Sequence, residues 1–147
     1  MIEPRATGPT VGERMTPEPI LVRAHDSLLH AAHLFEEHRV HGLPVIDAHG
    51  VLVGVISQTD MLRARTTQHL WSAWPGLKVR HLMTSPALTI GTDATLEEAA
   101  ARMEREQVHR LVVVGSDRVT PVGIISTTDI VRAMIRDPAR TSEEVRS

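Results

Sequence analysis

The stretch "GIISTTDIVRAMI" at 123–135 has a counterpart, "GVISQTDMLRARTT", at 54–67. Each begins with a glycine and an aliphatic run, continues with Ser-x-x-Asp, and then has apolar residues and an arginine. The aliphatic run predicts a β-strand. A serine followed three residues later by an acidic residue is typical of a helix start, with the serine as N-cap. The pattern therefore predicts, twice in one chain, a strand that leads directly into a helix.

The repetition extends well beyond these two stretches. A shift of 68 positions superimposes the first copy on the second up to residue 45. After one inserted residue near 116–117, a shift of 69 superimposes the remainder. Matched pairs include Val11 and Val79, Met15 and Met83, Leu28 and Leu96, Phe35 and Met103, Val45 and Val113, and Asp60 and Asp129. Such self-similarity over about 55 residues indicates a duplicated unit.

Each copy predicts the element order β-α-β-β-α, so the fold class is α/β (α+β) with two tandem repeats. The apolar residues of each first helix recur at i, i+3, i+4 and i+7, which gives one buried stripe. Thr95 with Glu98 predicts a capping box, and Ser27 has the same N-cap position in the first copy. The predicted strands are 20–22, 43–46 and 51–56, then 88–90, 111–114 and 122–125; the predicted helices are 27–39, 95–107 and those after Ser57 and Ser126.

The repeat also predicts the domain boundaries. We expect a flexible N-terminus at 1–10, a first repeat at 11–67, a linker at 68–78, a second repeat at 79–136 and a flexible C-terminus at 137–147. One copy alone is too small to bury both faces of its sheet, so the two copies are expected to pack together with pseudo-two-fold symmetry. The linker holds Trp71 and Trp74, which either pack across the repeat junction or contact another subunit.

The composition excludes several classes of protein. Aromatic residues make up 2% of the 147 residues, so the core must be aliphatic and a base-stacking platform for nucleic acid is excluded. The net charge of −2 offers no basic surface to a duplex. The lack of cysteine rules out disulfides and thiolate metal sites. We recognise neither a membrane span nor a signal peptide, so we expect a cytoplasmic protein with no membrane or nucleic-acid partner.

The order of the short motifs resembles that of the CBS domain, named after cystathionine β-synthase. Met-Thr opens each copy at Met15 and Met83, and Val-His and Gly-aliphatic-aliphatic-Ser-x-x-Asp follow in the family's order. The resemblance covers about residues 11–136 and implies a stand-alone tandem pair, often called a Bateman module. It implies that AMP, ADP, ATP or S-adenosylmethionine binds in clefts between the repeats and that the bound state is transmitted by a conformational change. It also implies a non-catalytic regulatory role, no obligatory cofactor and a homodimer.

Under this resemblance, the Ser-x-x-Asp pattern becomes a ligand-binding prediction as well as a helix cap. A carboxylate accepts hydrogen bonds from vicinal ribose hydroxyls, and the family uses the matching aspartate in this way. The Val-His-Arg stretch often faces phosphates in the family. The predicted ligand-binding residues are Asp129, Thr128, Ser126, Arg110, His109 and Arg132 in the second copy, Asp60, Thr59, Ser57, His41, Gly42 and Arg63 in the first, and Val22 and Ile90 near an adenine.

Several of these residues also have an interpretation that needs no ligand. Arg63 and Arg132 follow the aspartates at i+3, so they can pair with these carboxylates instead of a phosphate. The two histidines can mark corners between a helix and a strand. Gly42 stands where the second copy has Arg110, so the two sites are expected to differ, with the stronger phosphate preference at Arg110.

Two further hypotheses come from other function classes. Three ligands on one helix face, His30, His33 and Glu37, suggest zinc, but the matching positions of the second copy have the pattern of a solvated surface. We therefore expect no metal site. No catalytic triad or P-loop is recognisable, so no catalytic residue is predicted. The alternative to a nucleotide sensor is a ligand-free dimeric scaffold, and with either function an unidentified regulated protein is an expected partner.

Overall fold

A computed structural model describes residues 8–136 and builds each repeat around one small β-sheet. The predicted flexible ends lie outside the described residues at 1–7 and 137–147. Backbone contacts divide the chain into two compact units. The first-repeat unit is 18–88 with 119–121, and the second-repeat unit, among the described residues, is 8–17, 89–118 and 122–136.

The predicted order β-α-β-β-α is confirmed in both repeats, and the fold class is α/β. In chain order the elements are α1 (Val11–Arg14), β1 (Thr16–Pro17), β2 (Val22–Arg23), α2 (Leu28–His38), β3 (Gly42–Ile46), β4 (Leu52–Ser57), α3 (Gln58–Thr66), α4 (Gln68–Ala73), β5 (Thr89–Gly91), α5 (Leu96–Glu106), β6 (Arg110–Val114), β7 (Pro121–Ser126) and α6 (Thr127–Arg136). A short 3₁₀ turn, Val79–His81, lies between α4 and β5.

The two sheets have three matching strands in the same order, and β1 extends the sheet of the second-repeat unit at one edge. In the first-repeat unit the order is β2-β3-β4, with β2 parallel to β3 and β3 antiparallel to β4. In the second-repeat unit the order is β1-β7-β6-β5, with β5 parallel to β6. The hairpin predicted for the first copy is therefore confirmed, and its register shifts between Val45 and Ile46.

The segment that precedes the first strand of each repeat, which we call its leading segment, belongs to the compact unit of the other repeat. In the second-repeat unit β1 pairs antiparallel with β7, with Thr16 opposite Ile124. In the first-repeat unit Thr84 forms an isolated bridge with Val55. These pairings explain the glycine of the opening motif. A Cβ on Gly123 would lie 2.9 Å from the carbonyl oxygen of Thr16, and one on Gly54 would lie 2.8 Å from that of Thr84.

The predicted helix caps are confirmed. The hydroxyl of Thr95 accepts from the amide of Glu98 at 3.0 Å, and Glu98 accepts from the amide of Thr95 at 2.8 Å, which completes a capping box. Ser27 accepts from the amide of His30 at 3.1 Å. Both α2 and α5 end in a left-handed residue, Arg39 or Gln107, so the two repeats start and stop their first helix in the same way.

The core of each unit is aliphatic, as the composition requires. In the first-repeat unit the inward side chains of α2, β3 and β4 include Leu28, Leu43 and Ile56, all fully buried. Fully or almost fully buried residues of the second-repeat unit are Val11, Ala99, Leu111, Val113 and Ile125. Close packing of these side chains holds the sheet against its helices and so fixes the position of the loops that follow the strands.

The linker predicted at 68–78 holds a short helix, α4, which the sequence did not indicate because six residues are too few for a periodic pattern. Trp71 and Trp74 stack with ring centres 5.8 Å apart, and the Arg65 guanidinium lies 4.8 Å from the Trp71 ring centre. Trp74 packs against the core of the first-repeat unit, and Trp71 is exposed. A contact with another subunit stays a prediction.

Candidate functional site

The helix start at Ser126 presents one buried carboxylate. Asp129 is 9% exposed, and its Oδ2 accepts hydrogen bonds from the Ser126 amide at 2.9 Å and the Ser126 hydroxyl at 3.0 Å. In return the Asp129 amide donates to the Ser126 hydroxyl at 3.1 Å. Oδ1 lies 3.6 Å from Nη1 of Arg132, the ion pair expected at i+3. The cap therefore engages Oδ2 of Asp129, whereas Oδ1 is the oxygen that pairs with Arg132.

A cavity of about 260 Å³ adjoins this carboxylate inside the second-repeat unit. One wall is the face of α6 that carries Asp129, Arg132 and Arg136, and the other is the leading segment from Glu13 to Pro17. Glu13 already accepts a hydrogen bond from the Thr10 amide at 2.8 Å, as part of the cap of α1. We call this cavity with its lining residues the Asp129 corner.

Among the residues of the Asp129 corner that the sequence analysis did not predict are two arginines, Arg14 and Arg136. Arg136 follows Arg132 by four residues, so its position on the same face of α6 was available from helical spacing. Arg14 precedes the Met-Thr motif that the repeat brought to notice. Its position at the cavity beside α6 depends on how the leading segment packs, which no pattern of neighbouring residues predicts.

The matching start of α3, which we call the Asp60 corner, has the same cap and different surroundings. Oδ2 of Asp60 accepts from the Ser57 amide at 2.9 Å, and the Asp60 amide donates to the Ser57 hydroxyl at 3.0 Å. Oδ1 accepts from Arg63 and from the Thr84 hydroxyl, both at 3.3 Å. Arg63 also donates to the carbonyl oxygen of Leu82. Both oxygens of Asp60 thus have donors from within the unit.

The Val-His-Arg stretch lies where α5 turns into β6. Arg110 is the first residue of β6 and is half-buried, and this burial lowers the pKa of its guanidinium below the usual value. An arginine nevertheless keeps its charge in proteins, so a partly desolvated cation stands at this position. No ion pair to Arg110 exists within residues 8–136. This is the kind of cation that a phosphate would stabilise.

His41 and His109 each lie between a helix and a strand, the position that the interpretation without a ligand assumes. The carbonyl oxygen of His109 accepts from the amide and the hydroxyl of Thr127, at 2.9 and 3.1 Å. That of His41 accepts from the Gln58 amide at 3.2 Å. The His109 side chain lines a largely apolar groove of about 540 Å³ between α5 and α6, which it shares with Met103 and others. Gly42 is buried at the start of β3.

The remaining predicted residues are scattered through the two units. Thr59 and Thr128 are exposed on the first turns of α3 and α6. Val22 is 1% exposed and belongs to the core of the first-repeat unit. Ile90 lines a cleft of about 590 Å³ where the parallel strands β5 and β6 end. The structure therefore brings Asp129, Ser126 and Arg132 together, and it places His109 and Ile90 at other cavities of the same unit.

The histidine face of α2 gathers no metal site in the structure. Nε2 of His30 lies 4.0 Å from the carboxylate of Asp26. Within residues 8–136, no group of three or more histidine, aspartate or glutamate side chains is arranged to hold a metal ion. In the same part of the chain, each helix is too short or too polar to cross a membrane.

Comparison with known proteins identifies a family. The CBS domain model matches the chain twice, at residues 11–66 and 79–136. Among curated relatives, the gamma-3 subunit of the 5'-AMP-activated protein kinase of Bos taurus is 36% identical over 116 residues. That match covers 76% of this chain and 23% of the kinase subunit, so the chain spans about a quarter of that relative's length.

Two solved structures share the fold. CBSX2 of Arabidopsis thaliana, solved in complex with AMP, is 37% identical with a TM-score of 0.76, covering 88% of this chain and 98% of that one. The CBS domain pair of protein MJ0100, solved with 5'-methylthioadenosine and S-adenosyl-L-methionine, is 26% identical with a TM-score of 0.77. That similarity covers 87% of this chain and 97% of the other.

Proposed function

Because this chain belongs to the CBS domain family, we propose that it is a regulatory module that binds an adenosine-containing ligand and signals the bound state by a change of conformation. The solved relatives CBSX2 and MJ0100 hold AMP and S-adenosyl-L-methionine, which supports this class of ligand. The observation that carries the proposal in this chain is the Asp129 corner. It combines a buried, oriented carboxylate with an adjoining cavity of about 260 Å³.

The geometry of Asp129 suits the two vicinal hydroxyls of a ribose. The cap occupies Oδ2, so the carboxylate plane is set before any ligand arrives. Oδ1 pairs with Arg132, whose side chain is half exposed and can move aside or donate to the ligand. Because the cap already fixes this carboxylate, it loses no further conformational entropy when it accepts hydrogen bonds from hydroxyl groups. Asp129 is therefore the proposed ribose ligand, supported by Ser126 and Arg132.

The Asp60 corner is the second proposed position, and we expect it to be weaker. Its Oδ1 already accepts two hydrogen bonds, which a ribose would have to replace. The other residues predicted from the sequence, among them Arg110, Thr128 and Gly42, keep their proposed ligand-binding roles, and Ile90 and His109 keep theirs at the other cavities that they line. The chain also keeps its proposed status as a non-enzyme, because the CBS domain model matches both repeats.

A homodimer and a cytoplasmic location belong to the same proposal. Apolar side chains of α6 are exposed at Val131, Met134 and Ile135, the last two at 68% and 75%. Leu62 of α3, matched to Val131 by the repeat, is also exposed. A second copy of the chain would cover such residues, and a ligand that favours one arrangement of the dimer would pass its signal to a regulated protein there.

A thermal-unfolding series tests the proposal. AMP, ADP, ATP, S-adenosylmethionine and 5'-methylthioadenosine are added one at a time, and stabilisation of about 2.7 kcal/mol is expected at a hundredfold excess over the dissociation constant. Asp129→Asn keeps an oxygen for the Ser126 amide and removes the charge, so it should lose most of the stabilisation. Glu97→Gln, an exposed substitution on α5 of the same unit, is the matched control and should keep it.

The ligand-free scaffold predicts a different result, namely no stabilisation by any adenosine compound. It is not favoured, because solved relatives with the same repeat contain such compounds. If Asp129→Asn binds the ligand as tightly as the unchanged chain, the ribose assignment is wrong even though the ligand class is right.

A further inference from the structure

We propose that residues 82–85 form a strap that competes with a ribose for Asp60, and that Thr84 thereby limits the chain to one adenosine ligand. The strap is the part of the second repeat's leading segment that packs on the Asp60 corner. The inference rests on the proposed function, since it concerns the second of the two proposed ligand positions. It makes Thr84 the residue that sets the number of bound ligands, whereas the duplicated Ser-x-x-Asp pattern predicts two equal sites.

The strap occupies the carboxylate oxygen that a ribose would use. The Thr84 hydroxyl donates to Oδ1 of Asp60 at 3.3 Å. Arg63 donates to the same oxygen at 3.3 Å and also to the carbonyl oxygen of Leu82, so it joins the carboxylate to the strap. The other oxygen, Oδ2, is engaged by the cap at Ser57. A ribose must therefore displace Thr84 before its hydroxyls can replace these hydrogen bonds.

The strap is attached to β4 without the side chain of Thr84. The Thr84 amide donates to the carbonyl oxygen of Val55 at 2.8 Å, and the Val55 amide donates to the carbonyl oxygen of Thr84 at 3.0 Å. The Ser85 hydroxyl donates to the carbonyl oxygen of Val53 at 2.7 Å. A substitution at Thr84 therefore removes the competing hydroxyl and leaves these three hydrogen bonds in place.

The leading segment of the first repeat is attached in a similar way and does not occupy its aspartate. Thr16 pairs with β7, as Thr84 does with β4. Pro17 stands at the position matched to Ser85, so it has no hydroxyl to donate. Within residues 8–136, no hydrogen bond joins Thr16 to Asp129. Of the two matched threonines, only Thr84 thus competes for a carboxylate.

The size of the competition follows from the exchange of one hydrogen bond. Without the Thr84 hydroxyl, Oδ1 of Asp60 pairs with Arg63 alone, as Oδ1 of Asp129 pairs with Arg132. A ribose hydroxyl then restores the missing hydrogen bond, so the bound state regains what the unliganded state has lost. A hydrogen bond to a charged acceptor of this kind corresponds to about a tenfold change in affinity.

Calorimetric titration tests the proposal in the Asp129→Asn chain, in which only the Asp60 corner keeps its carboxylate. Adding Thr84→Ala should raise the affinity for AMP and for 5'-methylthioadenosine about tenfold. Thr84→Val removes the same donor and keeps the bulk of the side chain, so it should raise both affinities too. Thr84→Ser keeps the hydroxyl and should leave them as they were. With Asp129 intact, Thr84→Ala should increase the number of AMP molecules bound per chain from one to two.

Thr66→Ala is the matched control, since it removes an exposed hydroxyl from α3 of the same unit. It should leave both affinities of the Asp129→Asn chain unchanged. Affinities that Thr84→Ala and Thr84→Val leave unchanged or lower would overturn the proposal, and so would two AMP molecules bound to each unchanged chain. In both cases the proposed function stands, because the unchanged protein still binds an adenosine compound. Failure of every adenosine compound to bind the unchanged protein would overturn both.

Discussion

The Asp129 and Asp60 corners start a helix in the same way and differ in how the second carboxylate oxygen is used. In both, the serine amide donates to one carboxylate oxygen at 2.9 Å. The serine hydroxyl accepts from the aspartate amide at 3.0 Å in one corner and 3.1 Å in the other. At Asp60 the Thr84 hydroxyl and Arg63 occupy the other oxygen. At Asp129, within residues 8–136, no corresponding bond comes from Thr16, and the oxygen adjoins a cavity with two additional arginines.

The comparison shows that the duplicated cap is the same in both copies while its surroundings differ. The cap is made by residues three apart in the chain, so both copies inherit it with the motif. Part of the surroundings of the second oxygen comes from the segment before the first strand of the other repeat, where the copies have diverged from Arg14 to Leu82. For this reason the Asp129 corner is the first proposed ligand position, and the second oxygen of Asp60 is satisfied by donors of its own unit.

The largest expected effect concerns the glycines under the leading segments. Gly123→Ala places a Cβ 2.9 Å from the carbonyl oxygen of Thr16, so β1 must move away from β7. We expect a loss of about 1–3 kcal/mol in the free energy of unfolding, together with weaker nucleotide binding, because Thr16 lines the Asp129 corner. Denaturant unfolding and calorimetry measure the two quantities.

Two variants serve as references for this prediction. Gly54→Ala makes the same clash with Thr84 in the other unit, so it should cost similar stability and leave the Asp129 corner able to bind. Gly91→Ala has no atom within 4 Å of the new Cβ and should be neutral. If Gly54→Ala and Gly123→Ala weaken nucleotide binding equally, the two corners are not functionally distinct.

An intermediate effect is expected for the two matched threonines. Thr84→Val removes a donor to Asp60 and should lower the free energy of unfolding by about 1 kcal/mol. Thr16→Val removes no hydrogen bond to Asp129 and should cost less. Chemical denaturation of both variants gives the difference directly. Equal losses would mean that Thr16 and Thr84 play the same part, which contradicts the asymmetry described above.

The smallest expected effect is a difference between the β3–β4 and β6–β7 turns in how stability depends on pH. In the β3–β4 turn, the Asp47 carboxylate accepts from the amides of Val51 and His49, and these hydrogen bonds, that of Val51 first, lower its pKa below the usual value. A carboxyl with a lowered pKa in the folded state stabilises the fold above its ordinary pKa near 3.8. That stability is lost as the pH falls below this value through the pKa of the folded state.

The check is acid unfolding of Asp47→Asn beside the unchanged chain. The variant keeps an acceptor for both amides and has no proton to take up, so its stability should fall less steeply below about pH 4. The β6–β7 turn has Gly115 at the position matched to Asp47, and Ser116→Ala there is the control, which should leave the acid slope unchanged. A slope unchanged in Asp47→Asn would show that this turn does not contribute.

The parts of the fold that could be predicted from the sequence depend on residues that are close to one another in the chain. The caps at Ser27, Thr95, Ser57 and Ser126 depend on residues three apart, and the structure confirms each of them. The stripe of α2 and α5 and the hairpin strands depend on simple periods. The repeat then extended each local prediction to a second copy, and the ordered motifs indicated the CBS family, which the comparisons confirm.

The parts that were out of reach depend on contacts between distant segments. Nothing in the local pattern showed that β1 would pair with β7, that Thr84 would close the second oxygen of Asp60, or that Arg14 would line a cavity with α6. Helix α4 was too short to give a periodic signal.

The sequence by itself therefore determined the duplicated β-α-β-β-α unit, its caps and the family to which it belongs. The tertiary structure decided what surrounds the second oxygen of each aspartate, namely Thr84 and Arg63 at Asp60, and Arg132 with the adjoining cavity at Asp129. The physical reason is that a cap is a contact within one helical turn, whereas the charge around it is set by whichever segment packs across it. That segment lies more than 100 residues away from Asp129 in the chain.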